Sequence, residues 1–119
     1  MTEWYPEARA YSRDERLKQL GEFTHLCRTI ARSLRRHGKP WAADGFDDRA
    51  DAAEALSHDG WDQPALTEVG ANFPSEVDWL NPKAVDFNGP REPWQEDIAK
   101  IHARAAQLAL DLRAAATLP

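Results

Sequence analysis

Six basic side chains follow one flank of a predicted helix near the start of the sequence, with the chemistry to bind an anionic group. They are Lys18, His25, Arg28, Arg32, Arg35 and Arg36. Helical spacing places them in one row beside an apolar stripe, with Gly21 leaving a gap among them. Such a row can hold the phosphates of a nucleic acid or an acidic protein surface. Its four arginines are therefore candidate partner-binding residues.

The same row also has structural interpretations. Arginines late in a helix complement the helix dipole, and an acidic segment of the same chain can cover them. Residues 1–40 carry nine Lys/Arg against five Asp/Glu, whereas residues 41–90 carry two against eleven. We expect these opposed charges to meet within one molecule. The net charge of -5 favours a protein partner over a nucleic acid, which remains the alternative.

Metal chemistry has weak support in the sequence. Glu22-x-x-His25 is half of the motif that di-iron helical bundles use twice, and here it occurs once, away from the apolar stripe. The set of His25, His58 and His102 has no diagnostic spacing. The carboxylates Asp44, Asp47, Asp48 and Asp51 do not match an EF-hand loop, and the capping of short helices explains them better. We expect neither a metal nor another cofactor.

Catalytic motifs are also missing from the sequence. It contains no G-x-S-x-G, no glycine-rich phosphate loop and no metalloprotease helix motif. We assign no catalytic residue. A small enzyme or ligand-binding protein, with a pocket between the middle segment and the long helices, is a second alternative.

Five tryptophans are many for a chain of 119 residues. Tryptophan is enriched at binding hot spots because it buries a large area and keeps one hydrogen-bond donor. It also serves to cover a small helical core. The candidates for partner binding are Trp41, Trp61 and Trp79.

The first strong helical element begins at Ser12, which forms a capping-box pattern with Glu15. It ends near His37, Gly38 and Pro40, which break a helix. One apolar stripe runs along it at steps of three and four residues, and includes Leu17, Leu20, Phe23, Thr24, Cys27, Ile30, Ala31 and Leu34. Cys27 is therefore predicted to be buried.

The last strong helical element begins near Pro93 and runs to about Ala116. Its seam consists of Trp94, Ile98, Ile101, Ala105, Leu108, Leu112 and Ala115. Apolar side chains continue past this seam around more than half of the helix, so the helix is either central or shared between subunits. The candidate residues for a homodimer interface are Ala99, His102, Ala103, Ala106 and Leu110.

The segment between these helices contains a partial repeat. Asp44-Gly45-Phe46-Asp47 recurs as Asp59-Gly60-Trp61-Asp62, each with a turn dipeptide, an aromatic residue and an aspartate. The repeat predicts two short helices, near 47–57 and 62–71, with Trp61 packing on Leu66 as a hydrophobic staple. A further helical turn is predicted at Ser75 to Leu80.

These elements predict one all-α domain over residues 1–119, a small helical bundle. Two long antiparallel helices, about 12–37 and 93–116, are covered by an acidic, loop-rich middle with two or three short helices. Residues 1–11 are expected to form a flexible arm. The single cysteine and the start of the sequence favour a cytoplasmic location and no membrane span. The many alanines and arginines are typical of a GC-rich bacterial genome. We expect a non-enzymatic protein-interaction module of the immunity, antitoxin or accessory type.

Overall fold

The computed structural model of the chain describes residues 11–74 and 92–113, and this part consists of four α-helices without a strand. The helices are α1 (Arg13–Arg36), α2 (Pro40–Asp59), α3 (Gln63–Gly70) and α4 (Pro93–Arg113). The predicted all-α class is confirmed. Residues 1–10 of the predicted arm at 1–11, the helical turn at Ser75 to Leu80 and the end of the last helix at 114–116 lie outside the described residues.

The start of α1 is fixed by the predicted capping box. Ser12 Oγ accepts from the Glu15 backbone N–H at 3.1 Å, and the Ser12 N–H donates to Glu15 Oε1 at 2.7 Å. The stripe below it is buried as predicted, with Leu20, Phe23, Cys27, Ile30, Ala31 and Leu34 fully enclosed. Thus the cap and the periodicity together fixed the register of α1 in the core.

The segment after α1 forms one long helix, so the predicted turn at Asp44-Gly45 is wrong. Helix α2 begins at Pro40, a residue suited to a first turn, and continues through Gly45. Its buried face consists of Ala43, Phe46, Ala50 and Ala53. Burial of this face and of the Phe46 ring outweighs the cost of a helical glycine, about 1 kcal/mol. Up to residue 74, the middle of the chain is therefore less loop-rich than predicted.

The second copy of the repeat does form a turn. Gly60 has φ of +96°, a conformation that favours glycine, and Asp62 caps α3 by accepting from the Ala65 N–H at 3.0 Å. Helix α3 then lies close against α4 at Gly70. A Cβ atom on Gly70 would lie 2.3 Å from the Ala109 carbonyl oxygen. Glycine at this position thus permits the close approach of the two helices.

Helices α1 and α4 pack antiparallel, as predicted. Arg16 donates to the Asp111 carbonyl oxygen at 2.9 Å, while at the other end the rings of His37 and Trp94 are stacked. The most extensive partner of α1 is, however, α2, whereas α3 packs mainly on α4. A layer of α2, α1 and α4 therefore forms the bundle, with α3 against the C-terminal half of α4. None of the described helices is long and apolar enough to cross a membrane.

Candidate interaction surface

The basic row of α1 divides into two parts with different surroundings. Arg28 and Arg35 point toward α2, and we call these two the paired flank. Arg28 contacts Asp47 at 3.3 Å, Asp51 at 2.8 Å and Glu54 at 3.0 Å. Arg35 contacts Asp44 at 2.9 Å and also reaches Asp47. The expected meeting of basic and acidic segments is confirmed for these two arginines.

The ion pairs of the paired flank raise the pKa of both arginines. For Arg28 the largest cause is its hydrogen bond to Asp51, followed by that to Glu54. For Arg35 it is the hydrogen bond to Asp47. Both guanidinium groups are therefore charged at any physiological pH, and their charge is offset by carboxylates of the same chain.

The other members of the basic row face solvent, and we call Lys18, His25, Arg32 and Arg36 the unpaired row. All four are exposed, and in the described part of the chain none of them forms an ion pair. Arg32 makes a hydrogen bond of 3.4 Å to Thr29 Oγ1. The described part of the acidic segment does not reach Arg32 or Arg36, because α2 packs on the Arg28–Arg35 side of α1. Residues 75–90 of that segment lie outside the described residues.

The aspartates of α2 have a different role from the one predicted. Asp44, Asp47, Asp48 and Asp51 lie inside the helix, so they do not cap it, and the first turn of α2 contains no acidic residue. Three of them, together with Glu54, form the acidic side of the contact with Arg28 and Arg35. Their spacing of three and four residues places them on one side of α2, which explains the contact.

A groove of about 330 Å³ lies beside the end of the unpaired row, between α1 and α4. Arg32 and Arg36 line one wall, and Asp97 lies on α4. The His37 and Trp94 rings stack at a centroid distance of 4.0 Å and an angle of 7°. His37 Nδ1 donates to the Ser33 carbonyl at 2.8 Å, which fixes the orientation of the imidazole. The groove therefore combines two unpaired guanidinium groups with a fixed aromatic surface.

Trp41 lies at the same end of the bundle, since α2 starts four residues after α1 ends. Its side chain is 54 % exposed, and Trp41 and Leu110 are the two large hydrophobic residues described as exposed. We call Arg32, Arg36, Trp41 and the His37–Trp94 stack the basic end. Tryptophan and arginine are both enriched at binding hot spots.

The other two tryptophan candidates are placed differently. Trp61 is half-buried against the core, and the Arg13 guanidinium lies 5.1 Å from its ring centroid. Trp61 and Leu66, the predicted staple pair, line one cleft of about 340 Å³ between α1 and α3. Trp79 lies outside the described residues. Of the three candidates, Trp41 is thus the one with a solvent-facing ring in the described chain.

The candidate dimer residues of α4 do not all lie on the surface. Ala103 is exposed, Ala99 and Ala106 are half-buried, and Leu110 is 54 % exposed. His102, at 7 % exposure, is enclosed and so does not belong to this surface. Its Nε2 donates to the Pro74 carbonyl at 2.7 Å, and its ring packs against Phe46 and Phe73.

Of the half-motif of Glu22 and His25, His25 is exposed and Glu22 contacts α4. Glu22 accepts two hydrogen bonds of 2.9 Å from Arg104 of α4, which lower the pKa of the carboxyl. Glu22 therefore joins α1 to α4. Within residues 11–74 and 92–113, no group of three or more His, Cys, Asp or Glu side chains is arranged to hold a metal ion.

Sequence reasoning missed the structural role of Arg16. Arg16 is 3 % exposed and donates to the Asp111 carbonyl, to Gln19 Oε1 at 2.8 Å and to Gln63 Oε1 at 3.1 Å. Gln63 in turn donates to the Leu112 carbonyl at 3.0 Å. These bonds satisfy carbonyls at the end of α4. The signal was its spacing, four residues before Leu20 on the apolar stripe.

Comparisons with known proteins leave the site to be interpreted from its own chemistry. No protein-family model matches the chain, and no curated protein and no solved structure shows significant similarity to it.

Proposed function

We propose that this protein is a non-enzymatic protein-interaction module that binds an acidic partner through its basic end. The observation that carries the proposal is that Arg32 and Arg36 line a groove and form no ion pair within the described residues, while Arg28 and Arg35 are neutralised by α2. Arg32 and Arg36 line the groove together with the stacked Trp94, and the exposed Trp41 lies at the same end of the bundle. This end therefore offers both charge and apolar area to a partner. An immunity, antitoxin or accessory role is in line with this chemistry.

A protein partner is favoured over a nucleic acid by the distribution of charge. A polyanion gains affinity from many phosphate contacts, and it avoids acidic surfaces. Here four basic side chains without an ion pair in the described chain form a single narrow row, and the adjacent α2 carries Asp48 and other exposed carboxylates. The net charge of -5 acts in the same direction.

The proposal includes a cellular location, which is based on the cysteine. Cys27 is a buried free thiol and cannot form an internal disulfide, which suits a reducing compartment. We therefore place the module in the cytoplasm, in a bacterium if the composition reflects its genome.

The test is affinity capture with wild-type protein and single variants of the basic end. Arg36→Glu and Trp41→Ala should each lose a partner that wild type retains, because they remove charge and apolar contact. Lys100→Glu is the matched control, since Lys100 is an exposed cation of α4 without an ion pair among the described residues. Equal recovery of every partner by Arg36→Glu and wild type, or retention of labelled DNA or RNA by this end alone, contradicts the proposal.

Self-association through α4 is a second proposal, supported by the exposure of Leu110 beside Ala103 and Ala106. Small side chains would let an identical helix approach closely across a two-fold axis. Sedimentation at micromolar concentration should then show a dimer for wild type, and a folded monomer for Ala106→Glu combined with Leu110→Glu. A monomeric wild type rules out the dimer.

A further inference from the structure

The contact between α1 and α2 shows how α1 binds an acidic helix. Along α2, carboxylates at steps of three and four residues meet two arginines of α1 that are seven residues apart. Seven residues correspond to two helical turns, so side chains at that spacing face the same neighbouring helix. The paired flank is therefore a helix-recognition surface that is already occupied within the molecule.

The unpaired row repeats this spacing on the solvent side of α1. Lys18, His25 and Arg32 follow one another at intervals of seven residues, and Arg36 lies one turn further. The row thus runs over about 27 Å, at 1.5 Å per residue. Gly21 lies between its first two members, and a Cβ atom placed there would meet nothing within 4 Å. This surface has the charge and the spacing of a second helix-recognition seam.

The groove at the end of the row adds an apolar contact to this seam. Arg32 and Arg36 form its cationic wall, and the stacked Trp94 lies beside them. Asp97 on the α4 side disfavours an occupant that is acidic all around. The occupant that fits has carboxylates along one stripe and an apolar or basic side chain at the end.

We infer that the unpaired row, with the α1–α4 groove at its end, docks an acidic α-helix of the partner protein. This inference rests on the proposed function, and it adds the shape of the partner segment. The carboxylates of that helix recur at seven- and four-residue steps, opposite Lys18, His25, Arg32 and Arg36. Helix α2 supplies the same kind of pattern to the paired flank.

The test uses the full chain and labelled alanine-rich peptides of about 20 residues, long enough to span the row. One peptide carries its glutamates at seven- and four-residue steps, and the second has the same composition with glutamates spread around the helix. Fluorescence anisotropy at low ionic strength should show that the striped peptide binds about tenfold more tightly, since only it aligns every charge pair. Equal affinity of the two peptides overturns the inference.

Variants of the protein then locate the binding surface. Lys18→Glu and Arg32→Glu should each weaken the striped peptide about fivefold, although they are far apart on α1. The control Lys100→Glu should change the affinity by less than about twofold. Unchanged affinity of Lys18→Glu overturns docking along the row, whereas partner capture that still depends on Arg36 and Trp41 leaves the proposed function standing. Tighter binding of a single-stranded oligonucleotide to the row overturns both.

Discussion

Both flanks of α1 contain arginines, and these arginines differ in what surrounds them. Arg28 lies against three carboxylates of α2, whereas Arg32, one turn later, makes its hydrogen bond to Thr29 and faces solvent. The first arginine joins two helices of one molecule, and the second is exposed to solvent. A basic row in a sequence therefore has no single meaning until the neighbours of each side chain are known.

A third arginine of the same helix should show the largest effect, because it is buried and bonded to the end of α4. Arg16→Met keeps the apolar stem but removes the donors to the Asp111 carbonyl and to Gln63. We expect a loss of about 3 kcal/mol in the free energy of unfolding, since buried acceptors lose charged donors. Urea denaturation checks this, with Arg13→Met, an exposed neighbour on Trp61, as the control. A loss no greater than that of the control would contradict the structural role of Arg16.

The burial of Cys27 on the core face of α1 should make the free energy of unfolding depend on pH. Burial raises the pKa of the Cys27 thiol from 9.0 to about 12. Above pH 9 the unfolded chain loses this proton more readily than the folded protein, so stability falls as pH rises from 9 toward 12. At pH 10 we expect the free energy of unfolding to be lower by about 1 kcal/mol for this reason.

The measurement is the unfolding free energy of wild type and Cys27→Ala between pH 8 and pH 10, about one unit on either side of 9. Cys27→Ala should be less stable throughout but should lose less stability as the pH rises. Thiol reagents should label Cys27 of wild type only on unfolding. Parallel pH profiles, or rapid labelling of the native protein, would show that this face of α1 is open.

The paired flank should show a smaller effect that depends on salt. Arg28→Glu places a carboxylate among Asp47, Asp51 and Glu54. We expect a loss of about 1 kcal/mol at low ionic strength, since these groups are partly exposed, and less at about 0.5 M salt, where such charges are screened. Thermal denaturation at the two salt concentrations is the readout. A loss that does not vary with salt would argue against an electrostatic contact.

The unpaired row should show the smallest effect on stability. Arg32→Glu makes the same change one turn along the helix, and it breaks no ion pair of the described chain. Its free energy of unfolding should stay within about 0.5 kcal/mol of wild type, as for ordinary surface substitutions. The comparison of the two flanks fails if Arg32→Glu destabilises the protein as strongly as Arg28→Glu.

The parts of the fold that follow from local chemistry could be predicted from the sequence. The Ser12 cap, the burial of Cys27 and the Asp62 cap of α3 depend on neighbouring residues and on helical period. Helix α2 was mistaken for a turn followed by a shorter helix because Asp44-Gly45 resembles a turn when Phe46 is not known to be buried. Tertiary packing decided the structure at that point.

The candidate surface could be predicted only in part. The basic row and Trp41 were visible from residue types and spacing, but the separation of Arg28 from Arg32 depends on where α2 packs. The place of His102 depends on Pro74 and Phe73, which are distant in sequence. Such contacts between distant residues leave no local pattern.

The contact of Arg16 with the end of α4 also bears on the order in which the chain assembles. Arg28 and Asp47 are 19 positions apart, whereas Arg16 and Asp111 are 95 apart. Closing the shorter loop costs less entropy, so the α1–α2 hairpin can form early and α4 must dock later. The contacts of Arg16 then form late in folding. They slow unfolding more than they speed folding.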